Sequence, residues 1–328
     1  MDFVTLINDP RVQRILTHPE DDGSAWRAAL ARFLAADVRL TRQSAGESAI
    51  GALQRLMIFL GYSTAASGAF LIDGDFGRGT NRGIAQFKYE HRLSGEILRA
   101  DLCYPCQWNS ARRLIDSIPD ATLDQVTLRA MLQEAIRRCE QQLIMAGDFE
   151  LALFHLNALQ QNRFLDCRAI LERYGAAAES ASRRLRDTES VEVRPEWILS
   201  IIRQETAGII RPRFEQHYLS RLNRAHPDGD LAELRMRSMS LGLGQIMGSN
   251  YRAVGAPDAG TLFTAPLDEQ VAYVARFLKP KQAQTRKRDP AEADFHQVAR
   301  FYNGPQYAAH HYHERLARWF REFRLLMS

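Results

Sequence analysis

The chain has 328 residues, enough for two or three domains that each bury a core. Its formal charge of +4 comes mostly from arginines spread along the chain. The one denser basic run, residues 279–288, lacks the aromatic interleaving of nucleic-acid binders, so we expect no nucleic-acid partner. No apolar run approaches the roughly 18 residues of a membrane span, so we expect no membrane insertion. The N-terminus lacks a secretory signal, which predicts a protein made in the cytoplasm and exported by an unconventional route.

The first 95 residues are predicted to be helical. Residues 1–44 form a polar-faced arm, which we interpret as a packing element because its apolar residues recur at helical spacing. An amphipathic helix over residues 50–62 follows. The glycine-rich turn at residues 71–80 then permits tight bends, and Thr80 is predicted to cap a second helix, residues 81–91.

This helix, glycine turn and second helix resemble the small three-helix peptidoglycan-binding domain of many wall hydrolases. The resemblance covers residues 45–95, and its most specific part is the turn sequence Asp-Gly-Asp-Phe-Gly. In that family the groove beside the turn holds the muropeptide. The resemblance therefore implies that Asp73, Asp75 and Phe76 contact the cell wall. A helical hairpin with a glycine-rich corner is the alternative interpretation.

Residues 96–189 are predicted to be a helical connector without strands, bounded by a polar, charge-rich span at residues 183–194. The run from Thr122 to Gln125 is typical of a capping box at the start of a helix. The chain has four cysteines: Cys103, Cys106, Cys139 and Cys167. The first two have the spacing of a metal or redox pair. Because a second closely spaced pair is missing, we interpret all four as free thiols or late-formed disulfides rather than a zinc site.

A short helix over residues 195–208 carries one carboxylate where an apolar residue is expected. Pro195 suits a first helical position, and Gly208 suits a left-handed end. Glu205 continues the apolar stripe of this helix and should face the interior, near a C-terminus whose dipole disfavours negative charge. Both effects favour the protonated carboxyl that a general acid needs. A last-turn glutamate that bends into solvent is the alternative.

Two later motifs carry groups that can hold a sugar. In residues 240–248, glycines flank a leucine and let the backbone approach a ligand, while the amide of Gln245 can both donate and accept. A buried glycine turn with a structural glutamine is the alternative for this motif. Tyr302 and Asn303 end a later helix and combine an aromatic ring with an amide.

Taken in order, Glu205-Thr206, the Gly-Leu-Gly-Gln-Ile-Met motif at 242–247 and the Tyr-Asn-Gly motif at 302–304 resemble the lysozyme-like superfamily. A narrower resemblance, over about residues 178–326, is to the N-acetylmuramidase domain of modular phage endolysins. It implies that Glu205 is the acid and that no metal or organic cofactor takes part. It also implies these substrate-binding residues: Thr206, Gln245, Met247, Tyr302 and Asn303. Thr206 stands where serine is more usual, and it keeps the hydroxyl.

The second catalytic carboxylate is predicted to be Glu215. Glycosidases usually pair two carboxyl groups about 5–9.5 Å apart. Glu215 lies in the Phe-Glu-Gln-His segment that also matches the family, although an ion pair with Arg213 or His217 is an equal alternative. Three further acidic residues are expected to be solvated: Asp228, Asp230 and Glu233. Without a second carboxylate, a hydroxyl of the sugar itself could attack, and the enzyme would be a lytic transglycosylase.

Two other kinds of site are not expected. The histidines His310, His311 and His313, together with Glu314, could suggest a metal site, but consecutive helical positions point in different directions. A cysteine peptidase that uses His217 is also not expected, because no cysteine lies in a supporting local sequence.

The predicted fold is mainly α. It consists of the arm (1–44), the three-helix peptidoglycan-binding module (45–95), the helical connector (96–189) and a lysozyme-like α(+β) domain (190–328). The predicted function is cleavage of the MurNAc-GlcNAc bond of peptidoglycan, either as a phage endolysin or as a secreted antibacterial effector with a cognate immunity protein. A lytic transglycosylase and a non-catalytic wall-binding protein are the alternatives.

Overall fold

Helices make up most of the chain, as the sequence predicts. The structure, a computed structural model, describes the following residues: 2–36, 46–93, 97, 99, 102, 106–108, 114–116 and 123–328. The chain forms two compact units. The first comprises Met1–Asn162, Arg211–Ser240 and Met247–Ser249, and the second comprises Arg163–Ile210, Leu241–Ile246 and Asn250–Ser328. No helix in the described ranges is long and apolar enough to cross a membrane.

The division into units differs in outline from the predicted four-part organisation. The predicted boundary at residue 190 falls inside the second unit, and the segment 211–240 of the predicted catalytic domain lies in the first unit. The four-part organisation itself stays a prediction.

The first unit begins with a helical arm. Its helices are α1 (Phe3–Asn8), α2 (Pro10–Leu16) and α3 (Ser24–Ala36). The carboxylates of Asp2 and Asp9 cap the first two helices by accepting backbone N–H groups of Thr5 and Arg11. Trp26 is buried, in agreement with a packing role for the arm.

Two helices flank the glycine-rich turn, α4 (Glu47–Phe59) and α5 (Arg78–Glu90). The predicted cap at Thr80 is wrong, because Gly77 is the N-cap residue and Thr80 lies in the first turn of α5. Thr80 is fully buried, and its hydroxyl donates to the carbonyl of Asp75 at 3.2 Å. Its role is therefore to fix the turn from inside.

The connector region contains both strands and helices. Strands β1 (Cys106–Trp108) and β2 (Leu114–Asp116) pair antiparallel, which the sequence pattern did not predict. The helices that follow are α6 (Gln125–Glu140) and α7 (Phe149–Gln160). Asp124 caps α6 by accepting the N–H of Thr127, while Thr122 of the predicted capping box lies outside the described residues. Cys139 and Cys167 are free thiols; Cys103 and the side chain of Cys106 lie outside the described part.

The segment 211–240 completes the first unit. It carries β3 (Arg213–Phe214), α10 (Gln216–Ala225), α11 (Leu231–Arg237) and the start of β4 (Met239–Leu241). Strands β3 and β4 pair antiparallel, with Phe214 opposite Met239, and β5 (Ile246–Met247) is the third strand of this sheet. The N–H of Phe214 also donates to the carbonyl of Gly68 at 2.8 Å, which ties β3 to the loop before the glycine-rich turn.

The second unit is helical. Its helices are α8 (Cys167–Glu189), α9 (Pro195–Glu205), α12 (Thr261–Thr264), α13 (Leu267–Phe277), α14 (Gln282–Thr285), α15 (Glu292–Asn303) and α16 (Tyr312–Leu326). The core centres on Trp197 of α9, whose ring lies 4.8 Å from that of Phe295 and 4.9 Å from that of Phe320. Helices α8, α13 and α16 pack around α9, so the end of α9 is held rigidly.

Candidate active site

Helix α9 delivers Glu205 at its last position. Pro195 begins the helix, and the three isoleucines at 198, 201 and 202 are fully buried, as the sequence predicts. Glu205 is half-buried. The apolar stripe of the helix predicted an interior side chain and the alternative was a side chain in solvent, so the observed burial lies between the two. The next residues leave the helix through left-handed conformations at Ala207 and Gly208. The carboxyl group therefore stands at the rim of a packed core.

A buried phenol holds the Glu205 carboxylate. The hydroxyl of Tyr312, at the start of α16, donates to Oε1 of Glu205. Burial, followed by the charge of Glu205, raises the pKa of Tyr312 well above its usual value. The same two causes raise the pKa of Tyr302. Both phenols therefore stay neutral at physiological pH and act as hydrogen-bond donors.

Three side chains fix the Gly242–Gln245 turn from different sides. The hydroxyl of Thr206 donates to the carbonyl of Leu243 at 2.8 Å, and that of Tyr302 donates to the carbonyl of Gly244 at 2.7 Å. Oε1 of the buried Gln270 accepts the N–H of Leu243 at 3.1 Å. Thr206 and Tyr302 were predicted to bind substrate, and here their hydroxyls bind this turn.

The turn leaves no room for a side chain at Gly244. A Cβ atom there would lie 2.6 Å from Val274 Cγ2 and 2.7 Å from the hydroxyl oxygen of Tyr302. Gln245 follows with a positive φ of 49°, and its Nε2 donates to the carbonyl of Gly242 at 3.2 Å. Gln245 is half-buried, and Asn303, the last residue of α15, is exposed. Each has side-chain surface that a ligand could reach.

Two further predicted site residues, Glu215 and Met247, lie in the first unit. Glu215 is 39% exposed and forms an ion pair with Arg213, with Oε1 3.0 Å from Nε. This is the structural alternative that the sequence left open. Met247 is half-buried, and its sulfur accepts from the hydroxyl of Ser240 at 3.3 Å. Asp230 caps α11 by accepting the N–H of Ala232.

The glycine-rich turn of the first unit is organised by Gln54. Its Oε1 accepts the N–H groups of Asp73 and Gly74, and its Nε2 donates to Oδ1 of Asp73 at 2.7 Å. Asp73 and Asp75 are exposed and Phe76 is half-buried. A cleft of about 530 Å³ lies beside this turn, within the size range of small-ligand sites. Among the residues that line it are His18, Glu47, Arg55, Asp73 and Gln160.

Three residues of these sites were missed by the sequence analysis. Tyr312 and Gln270 reach the second-unit site from helices distant in sequence, and Gln54, in α4, binds the glycine-rich turn of the first unit. Nothing local marks these residues, because their roles arise from long-range contacts. Within the described ranges, no group of three or more His, Cys, Asp or Glu side chains is placed to hold a metal ion.

Comparison with known proteins finds a similarity for part of the chain. Residues 170–324 match the family model described as "Muramidase: N-acetylmuramidase". No curated protein matches the chain. A solved structure, the crystal structure of Burkholderia AP3 phage endolysin, is similar with 18% identity and a TM-score of 0.37, over 85% of this chain and 95% of that chain. Residues 170–324 are therefore similar to the N-acetylmuramidase family, whereas the rest of the chain lies outside the matched range.

Proposed function

We propose that the chain is a peptidoglycan hydrolase that cleaves the β-1,4 bond between MurNAc and GlcNAc, with Glu205 as the general acid. The observation that carries this proposal is the placement of Glu205. It ends a packed helix, is half-buried, and accepts a hydrogen bond from a buried tyrosine inside the range that matches muramidases. A carboxyl group in such a setting can be held in one orientation toward a bound sugar.

In the proposed reaction, the carboxyl of Glu205 gives its proton to the oxygen that links the two sugars, and the bond from that oxygen to C1 breaks. Water adds to C1 and loses a proton to a base. Tyr312 then has a defined task, because its hydroxyl stabilises the carboxylate that is left when the proton has gone. Exposed surface of Gln245 and Asn303 is proposed to hold the glycan.

Glu215 is our proposed second carboxylate, the base that activates water. Its ion pair with Arg213 favours keeping a second candidate function, the lytic transglycosylase. In that reaction a hydroxyl of MurNAc attacks C1 in place of water, and no second carboxylate is required. The products differ, since hydrolysis gives reducing MurNAc ends whereas the transglycosylase gives anhydro ends.

The test is digestion of purified sacculi, followed by mass spectrometry of the released muropeptides. We expect wild-type protein to release reducing ends and Glu205→Gln to release none. Glu179→Gln, which changes an exposed carboxylate on α8, is the matched control and should act like wild type. Anhydro ends would favour the second candidate. Normal digestion by Glu205→Gln would overturn the assignment.

We further propose that residues 45–95 bind the cell wall through the turn that carries Asp73, Asp75 and Phe76. Support comes from the exposure of the two aspartates and the cleft beside them. Sedimentation of the protein with purified sacculi tests this proposal. Asp73→Asn should lower the fraction of protein that sediments. The route out of the cytoplasm, by phage lysis or by secretion as an effector with an immunity protein, is a separate proposal. Capture of a co-encoded inhibitor would support the second route.

A further inference from the structure

Two histidine rings stack beside the loop that joins Tyr302 to Tyr312. The rings of His296, in α15, and His313, in α16, have centroids 4.0 Å apart and planes inclined by 27°. Tyr307, in the loop, stands edge-on to both rings, and its hydroxyl lies 3.0 Å from Nδ1 of His296. The proposed reaction uses none of these three side chains.

A carboxylate lies near Nε2 of each ring. Oε1 of Glu292 is 3.8 Å from Nε2 of His296, and Oε1 of Glu314 is 3.7 Å from Nε2 of His313. In the neutral state, each Nε2–H can therefore point toward a carboxylate. Nδ1 of His296 is then the acceptor for the hydroxyl of Tyr307.

Other charged groups near the pair are already engaged. Nδ1 of His311 lies 2.9 Å from Oε1 of Glu314, and this hydrogen bond lowers the pKa of Glu314. Asp294, on α15, pairs with Lys287 at 2.7 Å. His313 is 9% exposed, and its Nδ1 has no hydrogen-bond partner among the described residues. A second proton on His313 would create a buried N–H without an acceptor.

We propose that His296, Tyr307 and His313 form an acid-sensitive latch that holds the loop 303–311 in place. When both imidazoles are uncharged, they stack and the hydroxyl of Tyr307 stays bonded to His296. Histidines gain protons as the pH falls below about 6.5. One charge is tolerated because a carboxylate faces each ring. Two positive rings at this separation repel each other, and the buried N–H adds to the cost, so the latch opens.

Release of the latch would loosen a segment that reaches the proposed active site at both ends. What we call the loop 303–311 comprises Asn303, which ends α15 directly after Tyr302, a short 3-10 helix at Tyr307–His310, and His311, which directly precedes Tyr312. Tyr302 binds the carbonyl of Gly244, and Tyr312 binds Glu205. The three residues of the latch are therefore positioning residues for this site. The opening of the loop does not depend on which reaction the site performs.

Hydrogen exchange with mass spectrometry tests the latch, with rates corrected for the intrinsic effect of pH. We expect the loop 303–311 of wild-type protein to exchange about tenfold faster near pH 5.5 than near pH 7.5. His296→Phe keeps an aromatic ring on His313 but removes one charge and the bond to Tyr307. The loop should therefore exchange faster than in wild type near pH 7.5, and most of the further acceleration near pH 5.5 should vanish. His310→Asn, an exposed histidine in the same loop, is the control and should behave as wild type. Equal corrected rates at both pH values would overturn the proposal.

Proton NMR of the imidazoles gives a second measurement that needs no enzymatic activity. In wild-type protein the ring resonances of Tyr307 should shift together with those of the two imidazoles as the pH falls, because the latch joins the three rings. In His296→Phe the resonances of Tyr307 should change little over the same range. Wild-type Tyr307 resonances that do not follow the imidazoles would reject the latch. A protein that shows the joint shifts but digests no sacculi would keep the latch and lose the proposed function.

Discussion

Arg235 and Glu90 form a buried ion pair in the first unit, with Nε 2.7 Å from Oε1 and exposed fractions of 4% and 6%. The other carboxylate oxygen of Glu90 accepts the hydroxyl of Tyr62, and Nη1 of Arg235 donates to the carbonyl of Gly61. Helix α11 is thereby joined to α5 and to the residues that directly follow α4. The pair anchors the segment 211–240 on the helices that flank the glycine-rich turn.

Removal of the Arg235 charge should be strongly destabilising. In Arg235→Met, Glu90 remains buried without its cation, which costs about 3–5 kcal/mol of unfolding free energy. Urea denaturation followed by circular dichroism measures the loss. The control is Glu140→Gln, which breaks an exposed pair with Arg11 and should cost ~0–1 kcal/mol. A loss as small as the control's would mean that the buried pair is not an anchor.

Loss of the Tyr312 hydroxyl should lower activity while it preserves the fold. Tyr312→Phe removes a hydrogen bond to a charged group, worth about 1.5–3 kcal/mol, so kcat should fall roughly 10- to 100-fold. Without that bond the carboxylate of Glu205 is less favoured over the carboxyl. The fall of activity on the alkaline side should therefore move to higher pH. Turbidity clearing measured across pH checks both effects, and an unchanged profile would contradict the role of Tyr312.

A methyl group at Gly244 should disturb the glycine turn. Gly244→Ala places a Cβ against Val274 and the hydroxyl of Tyr302, which we expect to cost about 1–3 kcal/mol of stability and to reduce activity. Gly260→Ala is the matched control, because its nearest neighbour is a side-chain oxygen of Asp258 at 3.4 Å and its φ is −62°. Thermal denaturation of both variants is the measurement. Equal melting temperatures would show that the turn accommodates the added methyl group and would contradict the expected steric conflict.

Acid should weaken the first unit through Glu134. Burial alone would raise the pKa of Glu134, but hydrogen bonds from Arg137 and Arg138 outweigh it and lower the pKa from 4.5 to about 2. A depressed pKa in the folded state means that the stabilisation is complete above about pH 4.5 and is lost as the pH falls through about 2. It amounts to at most ~3 kcal/mol.

The measurement is the stability of wild-type protein relative to Glu134→Gln as a function of pH. We expect a gap at pH 7 that narrows as the pH falls from about 4.5 toward 2. Glu150→Gln serves as the control, since Glu150 is 67% exposed in its pair with Arg14 and should give a much smaller gap. A gap that stays constant with pH would contradict the argument.

Sequence patterns within a few residues predicted the start and buried face of a helix and the position of a turn. The proline and the isoleucine stripe of α9 gave its start and its buried face, and the glycine turn between α4 and α5 lies where its sequence indicates. The predicted cap at Thr80 was wrong because a buried hydroxyl found partners within the turn, at Asp75 and Thr64. The preference of threonine for helix starts does not tell an N-cap threonine from one whose buried hydroxyl binds the preceding turn.

The candidate site was predictable only where a motif carried it. Glu205, Thr206 and Tyr302 lie in short motifs. In the structure, the hydroxyls of Thr206 and Tyr302 bind the same turn, at the carbonyls of residues 243 and 244. Tyr312 and Gln270 could not be predicted, because their side chains bind groups 107 and 27 residues away in sequence. The spacing of residues along one helix does not indicate which group of a distant segment a side chain will bind.

The segment 211–240 belongs to the first unit although it follows a segment of the second unit in the chain. The two units are therefore not consecutive parts of the sequence. The chain passes between the two units five times, after residues 162, 210, 240, 246 and 249. A gene fusion that joined two finished, independently folding parts end to end would leave one such passage. A fragment cut at residue 170 would carry strand β3 without Gly68 and helix α11 without Glu90. Recombinant exchange of either half of this chain for a part of another protein should therefore yield insoluble chimaeras.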